Sequence, residues 1–374
     1  MADRKGNGME WENKTFVAEE LARRALPDYF TFCDGTKVIS INDWKQRRGE
    51  IIGIVKHEMF GQEPSVSAIV QGITKLSEEK AFAGKAEKRL VSIEITMGNT
   101  FFSFPCHIVL PKNVEKPPVF LYLSFSPAFV DEFLPAEEIL DHGYAIASFY
   151  YQDIAPDQED RFRSGLAGLF PRNPYDCWGK IAMWSWAASR VMDYLQTLPE
   201  IDRDRIAVAG HSRLGKTALW CGAQDERFSL VAANNSGAGG AALFREKKGE
   251  RIESMLRHFP RWFCGNFQRY GGLEMELPFD QHFLSALIAP RHLYISSAAE
   301  DEWADPLSEY LGCAAANKAY ELFGKQGLVS DGGLPGTGQI LNKGFIGYHI
   351  RSGEHYFSRF DWLRIIDYRN QHGC

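Results

Sequence analysis

Residues 207–220 read AVAGHSRLGKTALW: a short apolar run, a polar interruption, then a stretch of helical composition. The string matches two patterns at once. From Gly210 to Thr217 it has the G-x-x-x-x-G-K-T spacing of a phosphate-binding P-loop. It also sets Ser212 just after an apolar strand, where a strand-to-helix elbow would present a nucleophile. Both patterns predict a strand turning sharply into a helix. They differ in chemistry: Lys216 and Thr217 on a nucleotide, or Ser212 in acyl transfer.

The surrounding elements bear on this choice. From Arg89, RLVSIEITM alternates Val91, Ile93 and Ile95 with polar neighbours, and TFFSFPCHIVLP follows a Gly-Asn turn, which predicts a hairpin. PPVFLYLSF (117–125) and GYAIASFYY (143–151) are nearly continuous apolar runs, as expected of parallel strands covered on both faces. Between Trp178 and Leu198, Ile181, Trp184, Ala188, Val191 and Leu195 recur at helical spacing. Further strands are predicted at RIAVAG, LVAANNSG, RHLYISSA and GFIGYHIRSG. A hairpin followed by alternating strands and helices is the order of an α/β-hydrolase fold, a three-layer αβα sandwich around a mostly parallel sheet. Right-handed crossovers would gather the strand ends on one rim.

Residues 1–85, with short helix-like segments and the polar KLSEEKAFAGKAEKR, predict an N-terminal extension packed on a catalytic domain spanning 86–374. A P-loop usually follows an early strand. Here about 200 residues and four predicted strands precede the motif, a position that suits a nucleophile elbow. HLYISSAAED, an apolar strand ending in acids that could hold magnesium, keeps the nucleotide alternative open.

Composition narrows the function classes. The chain has 374 residues, 45% hydrophobic and 24% charged, with a formal net charge of −6 and no long basic run, which argues against a nucleic-acid partner. No apolar stretch approaches the roughly 20 residues a membrane-spanning helix needs, so no membrane partner is expected, and the protein is expected to be a monomer. Seven scattered cysteines without a C-x-x-C pair predict neither a disulfide framework nor a metal site. Nine Trp among 13% aromatic residues would fill a core or offer flat faces to sugar or aryl rings. MADRKGNGMEWENKTF lacks the apolar segment of a signal peptide, leaving a cytoplasmic location open.

A serine hydroxyl needs an imidazole to take its proton, and the imidazole needs a carboxylate to fix its tautomer. Ser212 follows the strand at 205–209, Glu300 and Asp301 follow that at 292–298, and His355 follows that at 344–351. Serine, acid, histidine is the α/β-hydrolase chain order. His211, His282 and His349 are expected to be structural. Leu214 replaces the second glycine of the usual G-x-S-x-G, and Gly215 comes one residue later. Arg213 and Lys216 then fall in the first helical turn, where cations oppose the helix dipole. That placement suggests ligand roles: Arg213 on the oxyanion of a tetrahedral intermediate, Lys216 on substrate oxygens.

GHSRLGK, NNSGAGGAALFREKKGE, RWFCGNF, LPFDQHFLSALIAPR, EDEWADP and GYHIRSGEH together resemble carbohydrate esterase family 15, the glucuronoyl esterases, and especially its bacterial branch, from about residue 90 to the end. The resemblance implies a serine esterase cleaving the ester between (4-O-methyl-)glucuronic acid of glucuronoxylan and lignin alcohols, with no cofactor, and suggests a secreted or periplasmic enzyme. It implies Ser212 as nucleophile, His355 as base and acid, Arg213 at the oxyanion, and Lys216, Glu250 and Trp303 on the uronate. Many members carry the triad acid just before SGAGG, where this chain has Asn235. The bacterial branch often has it after the next strand, which points to Asp301, with Glu300 and Glu302 as substitutes and Asp305 as a helix cap. A carbohydrate acetylesterase and a catalytically weakened sugar-binding descendant are the alternatives.

Overall fold

The computed structural model describes residues 15–129 and 131–374; residues 1–14, which hold most of the segment considered as a leader, lie outside them. The apolar runs form one ten-stranded sheet. Its strands are β1 (Ile69–Ala81), β2 (Ala86–Met97), β3 (Thr100–Pro111), β4 (Val119–Ser124), β5 (Ala145–Tyr150), β6 (Ile206–His211), β7 (Leu230–Asn234), β8 (His292–Ala298), β9 (Ile340–Leu341) and β10 (Ile346–Arg351). Their spatial order is β1-β2-β3-β5-β4-β6-β7-β8-β10-β9. From β5 to β10 in that order the neighbours are parallel, while β1, β2, β3 and β9 join antiparallel.

The central strands are apolar throughout because helices cover both faces. Along β4, Phe120 and Tyr122 point into a core shared with Trp362, Ile365 and Ile366 of the helix Arg359–His372. Leu121 and Leu123 point the other way, into the larger core, with Ile181 and Val191 of the helix Lys180–Leu195 and Leu219 of the helix Arg213–Gln224. Each of these large apolar side chains stabilises the fold by about 1.5–3 kcal/mol through burial. No helix among the described residues is long and apolar enough to cross a membrane.

Two expectations about the N-terminal third change. Five strands precede the elbow, not four, because residues 69–81 form β1, paired antiparallel with β2 from Ile69↔Thr96 to Ala81↔Ala86, with register shifts between Thr74 and Leu76 and between Glu78 and Ala81. The division between residues 85 and 86 therefore cuts through a hairpin of the sheet. The polar KLSEEKAFAGKAEKR hid this strand: most of β1 is solvent-exposed at the edge of the sheet and needs no apolar face. The helix Ile41–Val55, opened by a Ser40/Asp43 capping box, also sends Trp44, Ile51 and Val55 into the larger core. Phe60 stacks on Trp220 with ring centroids 4.4 Å apart.

Candidate active site

The site is built on the ends of β6, β7, β8 and β10. After Gly210 and His211 the chain turns at Ser212, held at φ 55°, ψ −125°, and enters the helix Arg213–Gln224 directly. Glycine is required at 210, since any Cβ there would lie 2.2 Å from the Leu214 carbonyl oxygen. The turn is fixed from the side by the Ser212 N–H donating to the Asn234 carbonyl at 2.9 Å. A serine in this backbone region is strained, and such strain persists where its surroundings impose it.

This geometry removes the nucleotide alternative. Residues 213–216 are helical, leaving no loop to wrap a phosphate, and Lys216 is only 4% exposed. Its ammonium donates to the Ser236 carbonyl at 2.7 Å and to Glu250 Oε2 at 3.3 Å.

His355 follows β10 after a turn organised by Arg351, whose guanidinium donates to the carbonyls of Ser352 and Glu354 and to Asp361 Oδ2. Nδ1 of His355 donates to Asp301 Oδ2 at 2.6 Å. Among the described residues this is the ring's one hydrogen bond, which leaves Nε2 for a reacting proton. The ring lies 4.6 Å, centroid to centroid, from that of His211, the residue before Ser212. Asp301 is 4% exposed. Burial alone would raise its pKa, but the hydrogen bond and charge of His355, with donors from Asn235 and the Ala304 N–H, hold it below the usual carboxylate value.

Glu300 accepts from the Gly353 N–H at 3.0 Å and so braces the histidine turn instead of contacting the ring. Asp305 caps the helix Pro306–Ala315, accepting from the Ser308 N–H. Asn235, at φ 44° after β7, donates from Nδ2 to Asp301 Oδ2 at 2.7 Å. The residue that lacks the charge is thus a donor to the residue that carries it.

Arg213 is fixed by a residue the sequence did not single out. Its guanidinium pairs with Asp157, in the loop after β5, and lies 4.9 Å from the Trp262 ring centroid. Asp157 also accepts from the Trp262 indole N–H at 2.9 Å. Nothing in YYQDIAPDQED marks this aspartate among its acidic neighbours. Glu309 was missed too: wholly buried, it accepts from Ser236 Oγ, the Gly237 N–H and Ser297 Oγ, tying the end of β8 to the turn after β7.

Glu250 is buried and donates its N–H to the Trp303 carbonyl at 3.0 Å, while Trp303 is 49% exposed. A recess of about 560 Å³ opens beside it, lined also by Glu302, Leu307, Leu334, Pro335 and Ile350. A larger hollow of about 690 Å³ around Lys56, Trp186 and Arg227 contains none of these residues. His282 bonds the Pro27 carbonyl, and His349 bridges Tyr294 and Asp361 inside the core.

Known proteins share this architecture. A model of the fungal glucuronyl esterase family matches residues 93–324. Carbohydrate esterase MZ0003, from an unknown prokaryotic organism, is 34% identical, with 94% of this chain and 90% of the relative covered. 4-O-methyl-glucuronoyl methylesterase 1 of Wolfiporia cocos is 33% identical over 80% of this chain and 72% of its own length. The solved glucuronoyl esterase of Solibacter usitatus superposes with a TM-score of 0.84 at 34% identity, covering 92% of this chain and 97% of that one. With a parallel sheet of the α/β-hydrolase kind and a family match across most of its length, the chain belongs to the glucuronoyl esterases of carbohydrate esterase family 15.

Proposed function

We propose that this esterase hydrolyses the ester joining a glucuronic acid of glucuronoxylan to a lignin-type alcohol, through an acyl-enzyme on Ser212. The observation that carries the residue assignment is the 2.6 Å bond between His355 Nδ1 and Asp301 Oδ2 beside the Ser212 elbow. His355 Nε2 takes the hydroxyl proton as Ser212 Oγ attacks the C6 carbonyl. The new C–O bond pushes the carbonyl electrons onto oxygen, and Arg213, held by Asp157, stabilises that oxyanion. Collapse breaks the ester C–O bond, and the alcohol leaves with the proton from His355. A water deprotonated by the same ring then attacks the acyl carbon and frees the glucuronate and Ser212.

Asp301 keeps Nδ1 protonated, so Nε2 is the basic nitrogen, and it stabilises the imidazolium formed in both halves of the reaction. Lys216 and Glu250 offer a donor and an acceptor to sugar hydroxyls, and Trp303 an apolar ring face. The Ser212→Ala enzyme is expected to lose activity on benzyl glucuronate by about 10⁴- to 10⁶-fold. Unchanged turnover would remove Ser212 from the mechanism, and a preference for acetylated xylan over benzyl glucuronate would move the substrate class to acetyl esters.

A further inference from the structure

Lys247 lies in FREKKGE, three residues before Glu250. It is 2% exposed, an unusual place for an ammonium unless it is fully bonded. Its Nζ donates to the carbonyls of Lys248 at 2.8 Å, Trp303 at 3.1 Å and Ala304 at 2.8 Å. An ammonium has three hydrogens, and all three are used. Two of these acceptors belong to the segment 301–305, which also carries Asp301. The same two segments meet again where the Lys248 N–H donates to Asp305 Oδ2 at 2.8 Å and the Glu250 N–H donates to the Trp303 carbonyl at 3.0 Å. The Trp303 carbonyl therefore receives both Lys247 and Glu250.

We infer that Lys247 is a positioning residue for substrate recognition: its ammonium clamps the backbone of Trp303 and Ala304 against the Glu250 segment, setting the spacing at which Trp303 and Glu250 receive the uronate ring. This rests on the assignment of those two residues as uronate contacts. The clamp acts on KM, because it orders a binding surface and does not touch the reacting carbonyl.

Its strength depends on charge. A neutral amine would have two hydrogens for three carbonyls and would aim a lone pair at the third. Burial disfavours the ammonium most, and Lys216 from the helix Arg213–Gln224 adds repulsion. Asp305 and Glu309 from the helix Pro306–Ala315 and its cap, with Glu250 from Lys247's own segment, oppose this, and the pKa is pushed down to about 8. Lys247 is thus charged at neutral pH and loses its proton in mildly alkaline solution.

The test is steady-state kinetics on methyl glucuronate, a neutral ester, from about pH 6.5 to 9.5, with the wild-type, Lys247→Met and Trp303→Ala enzymes. The wild-type KM should rise several-fold as the pH passes about 8. Lys247→Met should raise KM roughly tenfold at neutral pH, as expected for losing a charged hydrogen-bond donor, with kcat within about threefold and no further rise across pH 8. A Lys247→Met enzyme with the wild-type KM overturns the clamp. Should that variant show no cooperative melting transition, the wild-type profile decides alone, and a flat KM between about pH 7 and 9 overturns it. Trp303→Ala separates the two levels. If it raises KM and Lys247→Met does not, only the clamp fails. If it leaves KM unchanged, the uronate contact fails and the clamp with it.

Discussion

His211 and His355 sit with ring centroids 4.6 Å apart, and each hydrogen-bonds through Nδ1 at 2.6 Å, yet one partner is an amide and the other a carboxylate. His211 donates to Asn234 Oδ1 and is 3% exposed. Burial, reinforced by the charge of His355, pushes its pKa down to about 3, so it stays neutral at working pH. The His355 side chain is 39% exposed and faces a carboxylate that remains ionised. Both partners orient a ring, but only the carboxylate also stabilises the imidazolium. Two rings this close cannot both take a proton without repulsion: burial keeps His211 neutral even though its bond to Asn234 favours the proton, and only His355 has a carboxylate to meet the charge.

The most direct way to break this difference is to give both rings an amide. Asp301→Asn keeps the volume but can turn its NH₂ toward Nδ1 and favour the wrong tautomer. A fall in kcat on benzyl glucuronate of roughly 10³- to 10⁴-fold is expected; a loss below tenfold would mean that Asp301 is not the triad acid and would favour the weakened-descendant alternative. Returning the carboxylate from the other side should repair part of the damage. Asn235 Nδ2 lies 2.7 Å from the oxygen that accepts from His355. Adding Asn235→Asp to Asp301→Asn should therefore recover roughly 10- to 100-fold of the lost kcat, and no recovery would show that the position after β7 cannot serve this imidazole.

The comparison is sharpened by giving both rings a carboxylate. Asn234→Asp would place an anion on His211 and raise its pKa by roughly 1–3 units. A second imidazolium would then oppose the charge that His355 must carry. With the His211 pKa brought to about 4–6, we expect kcat/KM to drop about tenfold relative to wild type only below that range and to return toward wild type as the pH rises through it and His211 discharges. A pH-independent loss would instead indicate a disturbed Ser212 turn, because Asn234 also holds that residue's N–H through its carbonyl.

The sequence discloses this site unevenly, and the reason lies in what each residue answers to. Ser212, His355 and the acids Glu300 and Asp301 sit at the ends of apolar runs, and buried parallel strands mark their own ends, so chain order and strand placement point to Ser212 and His355 and narrow the acid to two neighbours, between which the family resemblance favours Asp301. Trp303 and Glu250 came only from family resemblance, since neither has a local pattern. Asp157, Glu309 and Lys247 had no signal at all. Each acts on residues distant in sequence, as Asp157 does on Arg213 and Lys247 on Trp303, and nothing local singles it out: Asp157 and Lys247 sit among other charged residues, and Glu309 lies within an otherwise uncharged helix. β1 escaped for the opposite reason: its hydrogen bonds are local, but most of its side chains face water and carry no period.

The smallest effect concerns stability, and it reads the charge state of His211 without reference to catalysis. Its folded pKa, about 3, lies below the ordinary 6.5, so between these values the unfolded chain binds a proton that the folded one refuses. Stability must then rise with pH through this window and fall on acidification, by about 1.4 kcal/mol per pH unit once the pH is well below 6.5. His282, pushed down to about 3, and His292, pushed down to about 4, add slopes of the same sign, so the total acid sensitivity does not isolate His211. His211→Gln does isolate it, since glutamine can still donate to Asn234 and does not titrate. Urea denaturation at about pH 6, 5 and 4 should give the variant a shallower loss than wild type, approaching 1.4 kcal/mol per unit at the acid end. Parallel slopes would mean that the folded protein protonates His211 as readily as the unfolded chain does, and then burial would not be what keeps the neighbouring ring out of the reaction.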